Sequence, residues 1–146
     1  MAPKSRRLAG LVLIFVPVVA FGGASLLSMI LGNVPGYLDN ELRQDLWRAG
    51  HAHAGVLLIL ALVVLRYVDE TDLSGRWLAL ARSGVPAAAI LMPAGFFLSV
   101  LDPDATTPNP LIYLVFVGGL LLVGAVLTLG IGLLRSPRPE PPPETS

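Results

Sequence analysis

A chain of 146 residues that is 54% hydrophobic and 14% charged, with a mean hydropathy of +0.73, carries far less charge than the roughly one quarter usual in a soluble domain. Ten basic and ten acidic residues balance to zero, which leaves no concentrated basic face for nucleic acid. The absence of cysteine excludes a disulfide framework, a thiolate metal site and covalent c-type haem attachment.

The apolar residues come as unbroken runs and not as periodic stripes, and in chain order they predict four transmembrane helices over about 8–31, 46–66, 77–101 and 110–134. Each is close to the roughly 20 residues that cross a bilayer. The first run follows Lys4, Arg6 and Arg7, a layout shared with signal peptides. At 24 residues, however, it exceeds the roughly 7–15 of a signal h-region. The second extends upstream through Leu46 and Trp47, whose indole suits headgroup level. The third starts near Trp77, which leaves Arg82 close enough to the end to snorkel into the interface. Barrel strands would alternate apolar and polar residues, and these runs do not. The stretch 136–146, with five prolines in eleven residues, reads as a disordered tail.

Lys4, Arg6, Arg7, Arg66, Arg76, Arg82, Arg135 and Arg138 fall on one side of the spans, and Arg43 and Arg48 on the other. Cytoplasmic loops carry the Lys/Arg excess. The expected architecture is therefore an all-α, four-helix transmembrane bundle over 1–135 in the plasma membrane, with the N- and C-termini cytoplasmic and Gly32–Asp45 and Asp102–Asn109 facing outward. Its helices should pack through small residues, because lipid tails are as apolar as leucine. Candidates are the rows Ala20, Ala24, Ser28 and Gly50, Ala54, together with Gly118, Gly119, Gly124 and Gly130. Pro17, Pro86 and Pro93 each remove a backbone donor inside a span, and the pair in the third helix would bow it and open a pocket.

The chain's two histidines stand in Gly50-His51-Ala52-His53-Ala54-Gly55-Val56-Leu57, at the outward end of the second helix. Ionisable residues within a span are costly and are functional candidates by default. Positions i and i+2 lie roughly 200° apart on a helix, so the two rings cannot chelate one ion together, and each needs its own partner. The small flanking residues fit two uses: tight packing against a neighbouring helix, or room for a flat macrocycle over an axial ligand. Glu41, Arg43, Asp45, Arg48, Asp102 and Asp104 are placed to form a mixed-charge mouth above His51, with Asp45 and Arg48 spaced to pair.

The segment Gly50–Leu57 resembles the His-x-His helix in the catalytic subunits of nitric-oxide reductases and C-type haem–copper oxidases. That resemblance implies axial ligation of haem b by His51 and His53, one haem or metal on each side of the helix. Those subunits carry many more spans and ligand histidines, so their activity is not implied. His51–Leu57 is also similar to the outward-end His before Gly-Val-Leu in small membrane mutases acting on hydroxylaminoarenes. As a whole the chain resembles small four-span membrane proteins of GC-rich bacteria. A second axial ligand would come from Met29, from Met92, or from the same histidine of a homodimer partner. Three readings stay open: an accessory protein of a larger membrane complex that binds haem or a small ligand at His51, His53 and Met29; a membrane enzyme of redox or isomerase type using the same histidines; and a structural protein whose histidines only pack. Proton sensing is a further use open to an imidazole. No nucleophile–base pair, phosphate loop or intramembrane carboxylate pair supports a hydrolase, a kinase or a proton pump.

Overall fold

The computed structural model describes residues 1–136. It contains α1 (Pro3–Leu31), α2 (Glu41–Tyr67), α3 (Gly75–Leu98) and α4 (Tyr113–Arg135), with single 3-10 turns at Val68–Glu70 and Pro110–Ile112. All four are long and apolar enough to cross a membrane, and no strand occurs among the described residues. The proline-rich stretch lies, apart from Ser136, outside the described residues.

The boundaries follow local chemistry. Pro3 opens α1, where its missing N–H costs nothing. Asn40 caps α2 by accepting from the Arg43 amide at 3.1 Å. α3 ends at Leu98, three residues before its apolar run does, because Asn109 takes over the exposed carbonyls. Its side chain donates to the Leu98 carbonyl at 2.9 Å and its amide to the Ser99 carbonyl at 2.9 Å. Pro86 and Pro93 sit within an unbroken α3.

Packing follows chain order: α1 lies on α2, α2 on α3 and α3 on α4, so α2 and α3 form the centre and α1 and α4 flank it. The buried core runs through Leu57, Ala61, Val64 and Leu65 of α2 and Ala81, Val85 and Ala88 of α3. Glycine sets the closest approach. A Cβ on Gly118 of α4 would stand 2.5 Å from Met92 Cγ and 3.2 Å from the Met92 amide nitrogen. On α3, a Cβ on Gly84 would meet the Ala125 Cβ at 2.6 Å, and one on Gly95 the Val115 amide nitrogen at 2.9 Å. The small-residue row on α1 does not act this way: Ala20, Ala24 and Ser28 are exposed. On α4, Gly119 and Gly130 have open space around them, so Gly118 alone of that group packs tightly on α3.

Two polar knots hold the ends. At the end where α1 begins and α4 stops, Asp69 accepts from the Ala2 amide at 2.6 Å, from Ser5 Oγ at 2.9 Å and from Arg82 at 3.2 Å, while Arg82 Nε donates to Ser5 Oγ at 3.0 Å. The expectation that Arg82 snorkels outward is corrected here. Its side chain is only 15% exposed, because the turn after α2 delivers a carboxylate into the bundle and pairing it outweighs hydration. At the opposite end Arg43 donates to the Gly36 carbonyl at 2.9 Å and to the Leu101 carbonyl at 3.2 Å, and Asn40 donates to the carbonyls of Pro103 and Ala105. Gly36, with φ of +73°, is needed there, since a Cβ would meet that of Pro103 at 2.6 Å.

Two outcomes follow for unfolding in detergent. Gly118→Val should cost about 1–3 kcal/mol by forcing α3 and α4 apart, while Gly119→Val should stay within about 0.5 kcal/mol of the parent. Arg82→Met should cost about 1–3 kcal/mol by leaving the Asp69 carboxylate with only the Ala2 amide and Ser5 hydroxyl as partners, and part of that loss should return in the Asp69→Leu, Arg82→Met double variant.

Candidate functional site

Both histidines lie about three turns inside α2 from its capped end, and both are half-buried. As the 200° separation requires, they meet different elements. His51 faces α1, where its ring lies on the backbone of Gly22 and Gly23. A Cβ on Gly23 would stand 2.8 Å from His51 Nε2 and 2.9 Å from Cε1, and one on Gly22 would stand 3.8 Å from Nδ1. The Nε2 edge of this imidazole is therefore covered by the first helix, and a macrocycle bound to it would require α1 to move away.

His53 faces α3. Its ring lies 5.0 Å from that of Phe96, tilted by 37°, and its Nδ1 is 2.8 Å from the carbonyl oxygen of Ala49 one turn back. A carbonyl only accepts, so Nδ1 is the nitrogen that carries the proton in this bond. In the neutral ring this leaves the Nε2 lone pair free. On the side of α2 that carries His53, Ala49 is half-buried and Ala52 exposed, while Val56, three positions on, stands out at 65% exposure, so the adjoining surface is small toward Ala49 and Ala52.

Gly50 and Ala54 behave as expected of small packing residues. Ala54 is buried, and a Cβ on Gly50 would come within 3.0 Å of the Phe97 ring and 3.1 Å of Phe96 Cβ. The approach allowed by Gly50 brings Phe96 to His53. Met29 lies six residues beyond Gly23, about 9 Å further along α1 by helical rise, and so away from the place where His51 rests. Met92 is buried against Gly118 between α3 and α4. Among the described residues no three His, Cys, Asp or Glu side chains cluster so as to hold a metal ion.

The charged residues preceding α2 divide into separate duties. Asp45 and Arg48 pair at 3.2 Å on the surface, as their spacing predicts. Arg43 lies 4.3 Å over the Trp47 ring while it pins the two loops, and Trp47 Nε1 donates to the Phe97 carbonyl at 3.3 Å. Tyr37, buried to 1% exposure, stacks on Trp47 at 5.9 Å. Glu41 and Asp104 line a cleft with Asp39 between the loops. The anticipated mouth is thus a packed lid around Trp47, with its acids on the rim.

Sequence reasoning passed over Gly22-Gly23 and Phe96, the two surfaces on which the imidazoles rest. Adjacent glycines inside a bulky apolar run were the available signal for the first. Phe96 offered none, since an aromatic in a membrane helix is ordinary. No family model, curated protein or solved structure matches this chain, so the reading of the site rests on its geometry.

The contact between α1 and His51 can be measured by a double-mutant cycle. Gly23→Val alone should destabilise the protein by about 1–3 kcal/mol through overpacking. In the His51→Ala background the same change should cost at least about 1 kcal/mol less. Additive costs would mean that the ring does not rest on Gly23.

Proposed function

We propose that this chain is a non-catalytic membrane protein that binds one ligand through Nε2 of His53, at the outward end of α2, with haem b as the ligand its surroundings suit best. The observation that carries the reading is the 2.8 Å hydrogen bond from His53 Nδ1 to the Ala49 carbonyl. Ligating histidines characteristically donate their other ring N–H to a backbone carbonyl or carboxylate, which fixes tautomer and ring orientation. The small side chains of Ala49 and Ala52 next to it leave room for one side of a flat macrocycle, with Val56 and the Phe96 ring as its apolar contacts. An iron held there by one histidine would bind a diatomic ligand or pass an electron, and axial ligation tunes either property. The membrane is the plasma membrane, both chain ends lie on its cytoplasmic side, and the lid around Trp47 faces outward. That orientation follows the basic residues: seven of the nine described ones sit at the end where α1 begins and α4 stops.

A second reading concerns His51 alone. Its seat on Gly22 and Gly23 favours a structural role, in which the imidazole fills the notch between α1 and α2 and binds nothing.

Expression with added haem precursor, followed by an absorption spectrum of the purified protein, tests both readings. The expected result is a Soret band that disappears in His53→Ala and persists in His51→Ala, the latter showing lower thermal stability. A haem-free protein under haem-replete expression would overturn the haem reading. Loss of the band only in His51→Ala would reverse the two assignments.

A further inference from the structure

At the terminal end of α1, Lys4, Arg6 and Arg7 border a surface hollow with Pro3 and Gly10. None of the three is paired with a carboxylate among the described residues, whereas Arg66 is paired with Glu70 and Arg82 with Asp69. Just below, α1, α2 and α3 leave an apolar cavity of about 170 Å³ between Leu8, Leu11, Phe15 and Val19 of α1, Leu58 of α2 and Pro86 of α3. Proline and alanine on α3 leave the space that bulkier side chains would fill.

Two of the three cations share a face of α1 with the groove, while Arg6 lies on the other side of the helix. Lys4, Arg7, Leu8, Leu11 and Phe15 follow the spacing i, i+3, i+4, i+7 and i+11, so Lys4 and Arg7 stand directly above the groove. Leu8 to Val19 is eleven residues, about 16 Å of helix, close to half the roughly 30 Å hydrocarbon thickness. The groove is thus as deep as one leaflet, with positive charge at its mouth that no carboxylate among the described residues pairs. Leu11 and Phe15 remain about half exposed, at 50% and 49%, so no side chain of the bundle covers them.

We propose that this composite groove is a binding site for one anionic glycerophospholipid. Its phosphate lies against Lys4 and Arg7, which supply charge and the planar donor fork suited to phosphate, and one acyl chain runs between α1 and α3 from Leu8 to Val19. Basic pockets beside membrane helices hold acidic headgroups in this way. A zwitterionic lipid offers the same chain, but its own ammonium offsets the attraction. A parallel second copy of α1 would cover the apolar face but would bring the same three cations into like-charge contact.

The full chain, purified in detergent, is titrated with phosphatidylglycerol, with phosphatidylcholine of identical chains, and with glycerol 3-phosphate, and adducts are read by native mass spectrometry. The expected result is a 1:1 phosphatidylglycerol adduct retained at least about tenfold over phosphatidylcholine, falling to about twofold in Lys4→Gln, Arg6→Gln, Arg7→Gln. These three residues are exposed, so the variant retains the fold. Ala89→Leu, which narrows the groove, should remove the adducts of both lipids. Equal retention of the two lipids, an unchanged preference in the triple variant, displacement by glycerol 3-phosphate alone, or a lipid-free dimer would each overturn the proposal.

Discussion

In hydrocarbon a leucine gains nothing by turning from a lipid chain to another leucine, so helices associate only where their backbones come close enough for dense packing. Every interface in this protein meets that constraint with glycine. Gly84, Gly95 and Gly118 draw α3 onto α4, Gly50 draws α2 onto α3, and Gly22 and Gly23 receive the side chain of α2 that faces α1. The pattern explains the layout. α2 and α3 have close neighbours on two sides and carry the core, while α1 and α4 have one each and leave most of their apolar surface to lipid.

Glycine contacts fix distance but not register, and register comes from the polar knots at the two ends. Asp69, Ser5 and Arg82 tie α1 to the turn after α2 and to α3. Arg43 and Asn40 tie the first loop to the third. Both knots satisfy carbonyls, hydroxyls or carboxylates that would otherwise be stranded near the membrane surface, where an unpaired polar group is costly. With distance and register both set, the His-x-His segment is held between α1 and α3, and each imidazole has a defined seat.

The four helices were legible from the sequence because uncharged runs of this length have one economical solution in a bilayer, and the single-sided basic residues marked which ends belong together. The packing was less legible. The row Ala20, Ala24, Ser28 has the spacing of an interface yet faces outward, because spacing identifies a face without saying what that face meets. Arg82 looked like a snorkelling residue since its partner, Asp69, lies thirteen positions back across a turn. At the site, the opposed directions of His51 and His53 followed from helical geometry alone. Their differing environments did not, because these depend on Gly23 and Phe96, which only the tertiary structure brings to them.

The central claim is that two histidines of one segment do different work, His51 as a packing element on α1 and His53 as a ring anchored through Nδ1 with Nε2 left to bind. Nitrogen-15 NMR of histidine-labelled protein in bilayers, with each resonance assigned by single His51→Ala and His53→Ala variants, tests it most directly. The account predicts that His53 shows a protonated, hydrogen-bonded Nδ1 and an unprotonated Nε2. A His53 ring carrying its proton on Nε2, or two histidines with indistinguishable, water-exchanging rings, would contradict it.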